Sequence, residues 1–303
     1  QTLDYAQSLY EKRLCTYPRT DSRFLTEDME TGVPTLVFAV AEKLDFLPAG
    51  LHLPVNSGQV IDNRKVTDHH AILPTPTMAA ANMDGLPAGE RNVLQLLAVR
   101  LLCAVGEKHS HAETVVTVEC AGHLFTAKGR AVLQDGWKAV AQAFQTTLTE
   151  KPREDNLDEV SLPELFEGQV FASVTASVRE GFSSPPKHFN EDTLLKSMES
   201  AGVDAAPQDA ERKGLGTPAT RAGIIEKLVK SGFVERRNKQ LFPTAKGVNL
   251  IAVLPDVIKS PQLTAEWEHK LKQIERGELA DVDFMEGIAA MIRNLVSTHA
   301  APD

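Results

Sequence analysis

The chain has 303 residues, 42% of them hydrophobic, and a formal net charge of −9. That length exceeds one simple core and predicts two or three domains. The absence of an apolar run of spanning length excludes a helical membrane protein, and the acidic balance excludes a uniformly basic nucleic-acid binder.

Residues 1–13 read as the end of a helix leading into Leu14-Cys15-Thr16-Tyr17-Pro18-Arg19-Thr20-Asp21-Ser22. A residue before proline is pushed into extended conformation, and Pro18 fixes its own φ. In an extended segment, residues i and i+2 project to one side. Tyr17 and Arg19 are therefore expected to point the same way, a phenol beside a guanidinium with five donors. That pairing suits an oxygen nucleophile attacking an anionic phosphorus. On these residues alone, a surface turn with a packed tyrosine stands beside that reading. Asp21 and Ser22 are expected to cap the following turn.

Thr26, with Glu27 and Asp28 behind it, marks a helix start through a capping hydroxyl and first-turn acids. Leu36, Val37, Val40 and Leu44 carry an apolar 3–4 spacing that predicts a helix over 33–46. Asp68-His69-His70-Ala71-Ile72-Leu73-Pro74-Thr75 reads as extended, with Pro74 and Pro76 inside or beside it. There His69 and His70 face opposite ways, which disfavours a shared metal ion. Residues 89–108 predict a further helix through Val93, Leu96, Leu97, Leu101 and Val105.

The character then switches. Residues 113–120 are rich in β-branched types, Gly122 supplies a turn before 123–128, and 170–178 alternates as a strand wet on one side. With the acidic stretch 151–159 between the strand groups, 109–182 reads as a β-rich module with a mobile acidic loop. Helices return near Asn190, and the last runs over 283–297. In Gly214-Leu215-Gly216-Thr217-Pro218-Ala219-Thr220-Arg221 the glycines permit a tight turn, Thr217 is an N-cap and Pro218 a first helical residue. The helix over 219–230 should end at Gly232 in the left-handed conformation. Residues 233–235 and 240–242 flank a basic turn, a helix-plus-wing pattern. Arg212, Lys213, Arg221, Arg236, Arg237 and Lys239 gather cations in one stretch, as an acidic DNA binder requires. The helix N-terminus with the Thr220 hydroxyl and Arg221 is a natural phosphate site; an ordinary capped helix and hairpin is the alternative. Cys15, Cys103 and Cys120 show neither metal spacing nor disulfide arithmetic, so a reducing cytoplasm is expected.

Thr16-Tyr17-Pro18-Arg19-Thr20-Asp21-Ser22 resembles the active-site signature of type IA DNA topoisomerases. Residues 68–75 resemble that family's second motif and 214–225 its third, in the same order. Gln262-Leu263-Thr264-Ala265-Glu266-Trp267-Glu268 is similar to a late family segment, so nearly the whole chain is covered. The resemblance implies a multidomain α and β fold that is part of a torus. Its parts would be a helical tyrosine-bearing domain (1–108), the returning segment of a β-rich arch (109–182) and a helical anchoring domain with a winged-helix-like element (183–303).

It also implies ATP-independent cleavage and rejoining of single-stranded DNA through a 5′-phosphotyrosine at Tyr17. Arg19 and His69 would be catalytic partners, with His70, Thr217, Thr220, Arg221, Arg236 and Arg237 holding DNA or phosphate. The Thr217 to Arg221 stretch and the absence of zinc ribbons resemble the topoisomerase III branch. Magnesium would be bound by a Toprim domain that has no counterpart here, so no metal is expected on this chain. The missing initiator methionine fits an excised fragment. A bacterial, cytoplasmic monomer is expected, inactive until joined to that N-terminal half. A non-catalytic winged-helix nucleic-acid-binding module remains as the alternative. A tyrosine recombinase fits poorly, because almost nothing precedes Tyr17.

Overall fold

A computed structural model describes residues 1–66, 68–148, 162–202 and 214–299, so Arg212, Lys213 and the acidic stretch 151–159 fall outside the described residues. The chain divides into two compact units, Gln1–Val178 and Arg179–Asp303.

The first unit begins with α1 (Thr2–Glu11), which buries Ala6 and Leu9. Its end is a Schellman closure: Arg13 N–H donates to the Tyr10 carbonyl and Leu14 N–H to the Leu9 carbonyl, both at 2.8 Å. Arg13 takes the left-handed conformation there at φ 60, a position that glycine fills with less strain. This reversal turns the chain straight into the Tyr17 segment. Next come a 3-10 turn (Glu27–Gly32), α2 (Val33–Ala41), the single turn α3 (Thr77–Ala80) and α4 (Ala88–Val105). The expected hydroxyl cap at Thr26 does not form; the Asn63 side-chain carbonyl accepts the Glu27 N–H instead, at 2.9 Å. α2 also stops five residues short of the predicted 46, its end closed by the turn bonds of Lys43 and Leu44.

α4 buries Leu94, Ala98, Leu101, Leu102 and Val105, positions that recur on one helical face. Leu9, Val37 and Val40 meet them in a single core. Gly89 allows the close approach of α1, because a Cβ there would lie 2.3 Å from the Tyr5 ring.

β1 (Ser110–Cys120) and β2 (His123–Gln134) form a long antiparallel hairpin, with Cys120 opposite His123. Ala121 and Gly122 both have positive φ (50 and 78), the pattern of a two-residue primed turn. The chain then returns as α5 (Lys138–Leu148), a helix the sequence reading did not anticipate. It sets Val140 and Phe144 into the core, with the Phe144 ring 5.5 Å from Phe46. The strand expected over 170–178 is absent: no helix or strand occurs in 162–189, and Val170 and Val178 are 88% and 99% exposed. An alternating sequence makes a strand only where another backbone accepts its hydrogen bonds, and among the described residues β1 and β2 pair only with each other.

The second unit carries α6 (Glu191–Ser200), α7 (Pro218–Lys230), the hairpin β3 (Val234–Arg237) and β4 (Gln240–Pro243), then α8 (Ala245–Val253), α9 (Asp256–Lys259), α10 (Gln262–Glu275) and α11 (Asp281–His299). Asn190 caps α6 reciprocally with Thr193: the Asn190 side-chain oxygen accepts the Thr193 N–H at 2.8 Å and the Thr193 hydroxyl accepts the Asn190 N–H at 2.9 Å. The hairpin turns at Asn238 and Lys239, both of positive φ (48 and 65), and Phe189 extends it by accepting the Leu241 N–H at 2.7 Å. Helix, hairpin and helix thus follow the predicted helix-plus-wing order. Few residues here are buried, among them Ile225, Leu241 and Ala265, so polar contacts carry much of the definition of this unit.

Candidate active site

The two motif segments of the first unit, more than fifty residues apart in sequence, lie side by side. Cys15 bridges Pro74 in antiparallel fashion. Thr16 N–H donates to the Leu73 carbonyl at 2.8 Å and Thr75 N–H to the Leu14 carbonyl at 3.0 Å. The Thr16 hydroxyl accepts the Leu73 N–H at 2.9 Å, and the Thr20 hydroxyl donates to the His69 carbonyl at 2.9 Å. Ser22, expected as a cap, accepts the Phe24 N–H at 3.0 Å and donates to the Lys65 carbonyl at 2.8 Å.

This stitching sets the Tyr17 ring between two others. His69 lies 4.4 Å away, centroid to centroid, and Tyr10 of α1 meets it edge-on at 5.4 Å. Tyr17 is half-buried and His69 exposed, on a wall built from both segments. Arg19 is exposed two residues on. The two histidines do different things. His69 packs on Tyr17, whereas the half-buried His70 places Nδ1 2.7 Å from the Ala71 carbonyl. Tyr10 was not singled out from sequence; its signal is an aromatic residue in the last turn of the helix that delivers Tyr17.

Beneath the site, Cys15 is buried and its thiol is pushed up to about 11 by burial, which keeps it protonated and inert. α1 is clamped to α4 by Glu90, whose carboxylate accepts from the Ser8 hydroxyl at 2.9 Å and from the Lys12 ammonium. The Lys12 bond, then that of Ser8, holds Glu90 below the usual carboxylate range against the opposing effect of burial. A depressed folded value means stability present above the unfolded carboxylate range, near about 4.3, and lost as pH falls through the folded value. Glu90→Gln is therefore expected to cost about 1–2 kcal/mol at neutral pH. Half-exposed Lys12 is partly screened, which keeps the figure low. Denaturant melts should show the gap between variant and parent closing below about pH 4.

In the second unit, the 214–221 residues come together differently from expectation. Arg221 is not an exposed phosphate donor. It is 8% exposed, and its guanidinium donates to the carbonyls of Leu215 (3.0 Å) and Gly216 (3.1 Å). The reason is the loop itself: Gly214 and Gly216 have φ 93 and 68, a path that points the carbonyls back at the helix. The Thr220 hydroxyl is likewise taken up in the cap, accepting the Thr217 N–H at 2.8 Å.

Arg236 is also engaged rather than free. It donates to Glu191 at 2.8 Å and to Glu226, tying the wing to α6 and α7. Arg237 pairs with Glu235 and lies 5.5 Å over the Phe242 ring. Lys239 stands exposed at the wing tip. The basic stretch is thus partly spent on neighbouring carboxylates, a competition that charge counting along the chain does not reveal.

A model of the DNA topoisomerase family matches residues 1–286. DNA topoisomerase 3 of Bacillus subtilis (strain 168) is 38% identical over 312 residues, covering 98% of this chain and 41% of that protein. DNA topoisomerase 3 of Vibrio cholerae is 36% identical over 307 residues, covering 98% and 45%. Full-length topoisomerase I from Thermotoga maritima shares the fold with a TM-score of 0.66 at 22% identity, over 97% of this chain and 45% of that one. The chain therefore spans less than half the length of these relatives.

Proposed function

The chain belongs to the type IA DNA topoisomerase family, with similarity to topoisomerase 3, and from that premise we propose that it carries the DNA-cleaving tyrosine of a single-strand-passing enzyme. The observation that supports this reading is the 4.4 Å contact between Tyr17 and His69, which joins the first two motifs at a half-buried tyrosine. A free phenol loses its proton only near pH ~10, so the attack needs help from neighbouring charge. In this reading the Tyr17 oxygen bonds to phosphorus as the bond to the 3′ oxygen breaks, and that oxygen takes up a proton. The product is a 5′-phosphotyrosine and a free 3′-hydroxyl. Attack by the same hydroxyl reverses the step, so the energy of the phosphodiester is kept and no ATP is used. Arg19 neutralises the phosphate, and His69 donates a hydrogen bond to it.

Magnesium, in this reading, would act from outside the chain. A Toprim-type half, supplied by the remaining length of the protein, would hold it and place the strand. The same half would complete the arch of 109–182, whose long hairpin leaves Val115, Leu124 and Phe125 more than half exposed. The unit around α7 would anchor single-stranded DNA, with Lys239 exposed at the wing tip as one of its cations. No helix among the described residues is long and apolar enough to cross a membrane.

The test joins this chain to the Toprim half of a relative and traps the adduct on a 3′-labelled single strand, because the fragment that stays bonded to the tyrosine is the one carrying the 3′ end. Label recovered on the peptide containing Tyr17 supports the reading; label elsewhere, or none, sinks it. Supercoil relaxation by the chain alone would overturn the further expectation that it is idle by itself.

A further inference from the structure

The first unit holds a cleft of about 520 Å³ that borrows residues from both motif segments yet excludes Tyr17 and His69. Thr20 and Ser22 come from one segment and Ile72 from the other, while Arg100 comes from α4 and Trp137 from the start of α5. Its volume lies within the about 300–1,000 Å³ usual for small-ligand sites. The Thr20 and Ser22 hydroxyls are already bonded to backbone. What the cleft offers a ligand is therefore an apolar floor that includes Leu25 and Leu101, an indole and the Arg100 guanidinium.

Trp137 is held firmly. Its backbone N–H donates to the Glu107 carbonyl at 2.8 Å, and its backbone carbonyl accepts from the Cys103 thiol at 3.6 Å. Gly136 makes this possible: at φ 53, a Cβ would lie 2.5 Å from the Glu107 oxygen. Trp137 as a whole nevertheless stays 37% exposed. Arg100 is exposed on α4, and its charge reaches into the cleft, where it opposes the rise that burial gives the Cys103 thiol. In a chain of net charge −9, this cleft is lined by Arg23 and Arg100 and, among the described residues, by no carboxylate. An aromatic wall beside an arginine is how single strands are gripped without regard to sequence, one base stacked and one phosphate neutralised.

We propose that this cleft binds one nucleotide of single-stranded DNA, its base on Trp137 and its phosphate on Arg100, apart from the phosphate that Tyr17 attacks. The proposal rests on the reading of the chain as a DNA-handling enzyme and adds a second grip to it. Such a grip would hold a strand close to the cleavage segment through contacts that do not depend on the covalent bond.

The test uses the whole chain carrying Trp267→Phe, which leaves Trp137 as the single tryptophan of the two. Titration with an eight-residue oligothymidylate should quench Trp137 emission. Trp137→Leu, followed by anisotropy of a labelled strand, should bind roughly tenfold more weakly. Arg100→Ala changes an exposed helix position and leaves the fold intact. It should weaken binding and lower the slope of log affinity against log salt by about 0.7, the share of one phosphate on a single strand. Unchanged Trp137 emission, or an Arg100→Ala variant with parental affinity and salt slope, overturns the proposal. Adduct formation at Tyr17 without a Trp137 response removes this site and leaves the topoisomerase reading standing. A Trp137 response without an adduct does the reverse.

Discussion

Tyr17→Phe, in this chain joined to a Toprim-type half, should reduce covalent capture of DNA by a factor of roughly 10⁴ or more, the scale on which losing a nucleophile outweighs any other single change. The fold should not notice. Both ring contacts, to His69 at 4.4 Å and Tyr10 at 5.4 Å, need the aromatic ring and not the hydroxyl. No described residue hydrogen-bonds to that hydroxyl, so unfolding midpoints should correspond to a change within about 0.5 kcal/mol. Loss of chemistry without loss of stability is the signature of a nucleophile, and an adduct that survives the substitution would refute the assignment. His69→Ala gives the contrast. A donor that stabilises charge at the phosphate is worth about 10²–10³ in rate, so single-turnover cleavage should be slowed by that factor while the adduct still forms on Tyr17. If His69 merely packs against the ring, cleavage will fall only as far as stability does.

Much of this site was legible because its information is local. Pro18 and Pro74 favour extended backbone, and extended backbone with free hydrogen-bonding groups pairs with something similar; segments 14–16 and 73–75 found each other, whereas Pro76, also read as extended, is helical at φ −57 and ψ −23 and opens α3. Thr217, Pro218 and Gly232 marked the bounds of α7 because capping chemistry depends on neighbours a few residues away. What failed depended on distant partners. The alternation over 170–178 stated a wish for a sheet but could not supply the second backbone. α5 was missed because its buried face amounts to Val140 and Phe144, too short a pattern until α4 stands opposite. Charge misled in the same way. Arg236 looked available in sequence, yet Glu191 and Glu226, 45 and 10 residues away, converge on it in space.

Arg221→Ala should therefore act on the fold of the second unit before it acts on DNA. Removing the side chain leaves the Leu215 and Gly216 carbonyls without their charged donor in a region where Arg221 is 8% exposed. Hydrogen bonds from charged groups are worth about 1.5–3 kcal/mol, and in a unit with few buried apolar residues the loss of two has little to absorb it. A drop of about 2–4 kcal/mol is expected, read as early proteolysis around residues 190–240 and a lower melting temperature. Gly214→Ala should do the same by another route. At φ 93 a side chain is strained, and its Cβ would sit 2.3 Å from the Glu199 carbonyl oxygen. The loop would then have to leave α6, breaking the 2.7 Å bond from Leu215 N–H to the Met198 carbonyl. The two variants separate the readings of this motif. If Arg221 is a phosphate ligand, Arg221→Ala keeps its stability and loses salt-dependent affinity, while Gly214→Ala loses both. If Arg221 is the internal strut seen here, both variants lose stability together, and each loses affinity only in proportion to the fraction unfolded.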